Sequence, residues 1–92
     1  MTESKSHKAT SKRIAEKYNT EYNSDKGVDI VTPNIAIEVE TESTISTGIQ
    51  QLQGHIKKVY IAGTNQETIK KALDITKGTT IGVMDNQGNI VK

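Results

Sequence analysis

The chain reads as one small α/β domain over residues 1–92, a mixed β-sheet flanked by helices. Three observations predict this. Ile35, Ile37 and Val39 alternate with Ala36, Glu38 and Glu40, the period of a strand with one apolar face. From residue 45 onward, helical stripes alternate with short apolar runs, the order expected of parallel crossovers. The 92 residues include three Tyr and neither Phe nor Trp, so a single modest core must come from Ile, Val, Leu and Ala.

Residues 1–6 are polar and read as a frayed, flexible end. Residues 8–19 place Ile14, Ala15 and Tyr18 on one side, a helix with a narrow apolar stripe. Residues 21–26 are a short edge strand or a turn ending at Gly27. Residues 28–31 and 35–40 are two strands joined at Pro33-Asn34, which is turn chemistry. The hydroxyls of residues 41–47 are caps for a helix striped by Ile45, Ile49, Leu52 and Ile56, with Gly54 as its stop. Residues 59–62 form a buried strand. A third helix spans residues 66–76, capped by Thr64 or Asn65 and closed by Lys77-Gly78. Residues 79–84 are a strand, and residues 89–91 return from a turn as a short edge strand.

Composition excludes several classes. With no cysteine there is no disulfide framework, thiolate zinc site or thiol nucleophile. A formal charge of +1 does not suit a histone-like binder. No apolar run approaches membrane-spanning length and the N-terminus lacks a hydrophobic signal region, so a soluble, cytoplasmic protein with no membrane partner is expected. Charge is nevertheless uneven. Lys5, Lys8, Lys12, Arg13 and Lys17 load the first helix region, while Glu38, Glu40 and Glu42 sit together. A basic face near an acidic centre suits a protein that holds phosphates around a cation, and it also suits an ordinary mixed surface.

The hairpin register sharpens the acidic feature. With Pro33 and Asn34 at the centre of the turn, Thr32 faces Ile35, Ile30 faces Ile37 and Val28 faces Val39. Asp29 then lies opposite Glu38, with Glu40 two residues along on the same face. Directly opposed like charges are destabilising. A hard divalent cation accounts for carboxylates that converge in this way. The alternative is that they occupy the wet side of a hairpin.

A hairpin Asp, a short turn, Glu38-Val39-Glu40, then a Gln-bearing helix and a βαβ unit resemble the PD-(D/E)XK nuclease superfamily, the restriction-endonuclease-like fold that includes archaeal Holliday-junction resolvases. The resemblance runs from the first helix to the strand near Ile81. It implies that Asp29 and Glu38 hold Mg²⁺ (or Mn²⁺), with the carbonyl of Val39 as a further oxygen ligand. Gln51 matches a helix glutamine found in some branches. Val28 stands where the family carries Pro, and Glu40 stands where it carries Lys. Some restriction endonucleases also have Glu there. Phosphodiester hydrolysis uses such groups: the cation polarises a phosphate oxygen and acidifies water, and Glu40 orients that water, takes its proton or shares a second cation. Lys17 or Lys26 could supply the missing positive charge.

Three readings follow. The first is a metal-dependent endonuclease acting on DNA, branched or junction forms included, as a homodimer. Its catalytic residues are Asp29, Glu38, Glu40 and Gln51, its metal ligands Asp29, Glu38, Val39 and Glu40. Lys8, Lys12, Arg13, Lys17 and Lys26 contact nucleic acid. The second is an inactive nuclease-fold protein that binds nucleic acid or regulates. The third is an unrelated α/β interaction module whose acidic face is wet.

Overall fold

The computed structural model describes residues 5–23, 28–52 and 57–92, with Gln51 described by its backbone alone. Four strands are joined in the order β1-β2-β3-β4. They are β1 Ile30–Val31, β2 Ile35–Glu40, β3 Lys58–Gly63 and β4 Gly82–Met84, with helices α1 Lys5–Lys17, α2 Ile45–Leu52 and α3 Gln66–Ile75. β1 and β2 form an antiparallel hairpin; β2, β3 and β4 run parallel. This is the α/β class, with a mixed sheet flanked by helices, that the sequence predicts.

Alternation along the strands sorts the core into two layers. Ala36, Val59, Ile61 and Val83 pack with Ile45 and Leu52 of α2 and Ile69 and Ala72 of α3. Ile30, Ile37, Val39, Tyr60, Ala62 and Met84 pack with Ile14 and Ala15 of α1. Successive β-strand side chains point to opposite faces, so this division fixes the face of every residue on β2. Ile37 and Val39 point to α1; Glu38 and Glu40 share the face of Ala36, toward α2.

The hairpin register is the predicted one, with Ile30 paired to Ile37 and Val31 to Ala36. Thr32 N donates to Ile35 O at 2.9 Å and closes the turn. Val28 departs from expectation. It packs with the α2 and α3 cluster rather than beside Val39. The chain leaves the ladder before that residue.

Boundaries elsewhere shift for local reasons. α1 starts at Lys5, so Lys5 and Ser6 are helical rather than frayed. It ends on Asn19 at φ 55, with Thr20 N bonded to Ala15 O and Asn19 N to Glu16 O. That pair is the C-terminal lock that a left-handed residue permits. Residues 21–23 are not a strand, and residues 24–27 lie outside the described set. The α2 stop at Gly54 and the stripe residue Ile56 also lie outside it.

β4 is shorter than expected because Thr79 turns instead of extending. Its Oγ1 donates to Thr76 O at 2.7 Å and accepts from Ile81 N at 3.2 Å. Such local hydroxyl bonds compete with a ladder. The expected last edge strand is a single antiparallel bridge between Met84 and Ile90. Asp85 Oδ1 holds Gln87 N and Asn89 N, each at 2.9 Å, and Gly88 at φ 81 reverses the chain.

α3 begins where Asn65 Oδ1 accepts from Thr68 N at 2.9 Å. Removing this cap in Asn65→Ala should cost about 1 kcal/mol, and Asn65→Asp should restore most of it. Thermal or urea unfolding followed by circular dichroism measures both; equal stability of all three proteins would show that the cap contributes nothing.

Candidate metal centre

β2 is central in the sheet, with β1 on one side and β3 on the other. Its last residues, Glu38 to Glu40, are covered by helices on both faces. The acidic face is therefore dry. Asp29, Glu38 and Glu40 are 8%, 4% and 5% exposed. Each brings one carboxylate oxygen into a group lying within 4.8 Å of one another. The wet-hairpin reading fails at this point.

Two features make room for the cluster. Gly48 of α2 passes directly over Glu40, and a Cβ there would collide with the Glu40 carboxylate. Asp29 is tied down from two directions. Its Oδ2 accepts the Val39 backbone N–H at 2.9 Å and lies 3.1 Å from His7 Nε2. His7 comes from the first turns of α1 and meets the Tyr22 ring edge-on at 6.1 Å.

Carboxylates in such a place must share a proton or a cation, since burying bare charge costs several kcal/mol per ion. Burial, a hydrogen bond to Asp29 and the negative fields of Asp29 and Glu40 push Glu38 up to about 10. Burial also raises Glu40, opposed by a hydrogen bond from the Thr44 hydroxyl. Glu38 Oε2 is buried with no hydrogen-bond partner among the described residues. The donor set is all oxygen, apart from the His7 nitrogen behind Asp29, and this suits a hard divalent cation.

The sequence-derived residues divide. Asp29, Glu38 and Glu40 are brought together. Glu40 O is taken by Thr64 N of the β3 side at 3.1 Å. A residue's own N–H and C=O point to the same side of a strand, and this side alternates. The Val39 carbonyl therefore faces β1, where its N–H already meets Asp29. Gln51 lies in the last turn of α2, and its side chain is outside the described residues, as is all of Lys26.

The basic helix is split. Arg13 Nη1 donates to Asn86 O at 2.8 Å and Lys17 Nζ to Asn89 Oδ1 at 2.6 Å, so both fasten the turn after β4. Lys8 and Lys12 are exposed on the other flank of α1. His7, which lies between the expected frayed end and the expected first helix, and Gly48 were not identified as site residues. No local pattern marks either: His7 lies 22 residues from its partner Asp29. A glycine inside the predicted second helix was the one available signal for Gly48.

Compared with family models, curated proteins and solved structures, the chain gives no match. Function is therefore read from geometry.

The raised Glu38 sets a pH dependence. A carboxyl whose folded value lies above its ordinary 4.5 stabilises the fold most below that value. The contribution fades as pH rises toward about 10. In chelator, stability should thus fall between pH 5 and 9 by up to about 1.4 kcal/mol per unit. Glu38→Gln should flatten that slope; parallel curves for the two proteins would place the proton elsewhere. Gly48→Ala should displace Glu40 and weaken Mn²⁺ binding by about tenfold, about 1.4 kcal/mol. Calorimetric titration reads this, and unchanged affinity would mean that Glu40 does not bind the ion.

Proposed function

We propose that the protein is a divalent-cation-dependent phosphodiesterase acting on DNA, with Mg²⁺ or Mn²⁺ held by Asp29, Glu38 and Glu40. One observation carries the reading: three carboxylates meet in a dry pocket, and one buried Glu38 oxygen lacks a protein partner among the described residues. A cation in place of the shared proton relieves both the repulsion and the missing contact. The site also lies at the carboxyl end of β2, next to that of β3, and ligands of α/β sheets bind at that end.

In this reading the cation supplies a polarised phosphate oxygen and a more acidic water. Asp29, Glu38 and Glu40 would hold it. His7 and the Val39 N–H fix Asp29 Oδ2, which leaves Oδ1 for the ion. Glu40 takes the proton of the attacking water as the water oxygen bonds to phosphorus and the opposite P–O bond breaks. Exposed Lys8 and Lys12 serve the DNA backbone, and two copies of so small a chain grip a duplex better than one. The PD-(D/E)XK resemblance is consistent with this chemistry, with Glu40 in place of Lys.

A second reading, a nucleic-acid-binding relic with no chemistry, is favoured by that same substitution. Cleavage of branched and linear DNA in matched Mn²⁺ separates the two. The enzyme reading expects wild-type cutting, lost in Asp29→Asn and Glu40→Ala, with some activity kept in Glu40→Lys. Wild type that binds Mn²⁺ yet cuts nothing leaves the relic. Wild type that neither binds Mn²⁺ nor cuts removes the cation site altogether.

A further inference from the structure

Beside the carboxylates, at the carboxyl ends of β2 and β3, a groove is lined by Thr41, Ser43, Thr64, Asn65 and Lys71, among others. It adjoins the acidic site through the backbone, because Thr64 N donates to Glu40 O at 3.1 Å. It adjoins it through side chains as well. Thr44, whose hydroxyl bonds Glu40, lies 3.1 Å from Thr41 Oγ1, which lies 3.2 Å from Ser43 Oγ.

Two independent features of this groove call for an anion. Thr64 is 8% exposed, and its Oγ1 is buried without a hydrogen-bond partner among the described residues. A buried hydroxyl left in that state costs about 1–3 kcal/mol. The second feature is the start of α3, a helix of 10 residues. Asn65 satisfies Thr68 N. The N–H groups of Gln66 and Glu67 precede it and have no intrahelical acceptor. They carry the positive end of the helix dipole. Lys71 adds a full charge at the rim, where its Nζ meets Glu42 O at 3.3 Å. Two acids oppose: Glu42 also lines the groove, and Glu67 lies in the first turn of α3.

We infer that this groove is a phosphate subsite. It takes the phosphodiester next to the one held at the carboxylates, by way of the Thr64 hydroxyl, the first amides of α3 and Lys71. The inference rests on the cation-dependent phosphodiesterase reading and extends it by one phosphate along the strand. The subsite needs no cation of its own. It supplies positive charge on the substrate path beside the acidic cluster.

The test uses the full chain in chelator, titrated with inorganic phosphate and separately with a short single-stranded oligonucleotide, while backbone amides are followed by NMR. Saturable shifts at Thr64, Gln66 and Glu67 are expected with both ligands. Thr64→Val should weaken binding about fivefold, the loss of one hydrogen bond, and Thr64→Ser should keep it. Lys71→Gln should weaken binding and Glu42→Gln should tighten it. No saturable shift in wild type, or equal affinity in Thr64→Val, overturns the subsite. Phosphate binding that the oligonucleotide cannot displace overturns its assignment to a nucleic-acid backbone. Loss of the phosphodiesterase reading shows separately, as absent Mn²⁺ binding with phosphate binding intact.

Discussion

Burying three carboxylates at the end of the central strand is the constraint on which the rest of the site depends. Water cannot screen them there, and bare charges at such spacing are too costly to persist. The fold answers with fixed hydrogen-bond donors. Val39 N and His7 hold one oxygen of Asp29, and Thr44 bonds Glu40. Glu38 is left to share a proton or a cation. The pairing of β2 with β3 through Glu38 and Glu40 keeps these two groups from drifting apart to relieve the strain.

Much of the fold was legible because local chemistry and tertiary packing agree. Pro33-Asn34 and the alternation of residues 35–40 fix the hairpin register, and the structure pairs Ile30 with Ile37 accordingly. Asn65 fixes the start of α3 in the same way. The acidic trio was legible for the same reason, since register alone places Asp29 opposite Glu38. Its burial was not. Alternating apolar and charged residues describe a half-wet strand, and only the parallel pairing with β3 and the cover of α2 make that face dry. Thr79 shows the opposite failure: β-branched residues argue for a strand, and a local hydroxyl turn prevails.

The contributions of α1 and α2 could not have been read from periodicity. The apolar stripe of α1 places Ile14 and Ala15 against the sheet but says nothing about where its first turn ends up. Arg13 and Lys17 look like a nucleic-acid face in sequence, and in the fold they also clasp the turn after β4. Gly48 reads as a weak point in a helix, yet it is the residue that lets a helix cross a buried carboxylate.

The shortness of β1 explains how one acid comes to be served by the backbone of β2 and by a helix. Had the hairpin continued by its register, the backbone at residue 28 would pair with Val39 and occupy its N–H. Instead β1 begins at Ile30, and Val28 turns away to the α2 and α3 layer. The Val39 N–H passes to the side chain of Asp29. Because the ladder stops there, the sheet edge is open to α1, and His7 reaches Asp29 from the opposite layer. A longer strand would satisfy the backbone and close that route. The early end of β1 thus exchanges one pair of ladder bonds for a carboxylate oriented by two donors, next to Glu38 and Glu40. Moving the turn by one residue would undo the arrangement, because every side chain of β1 would change face.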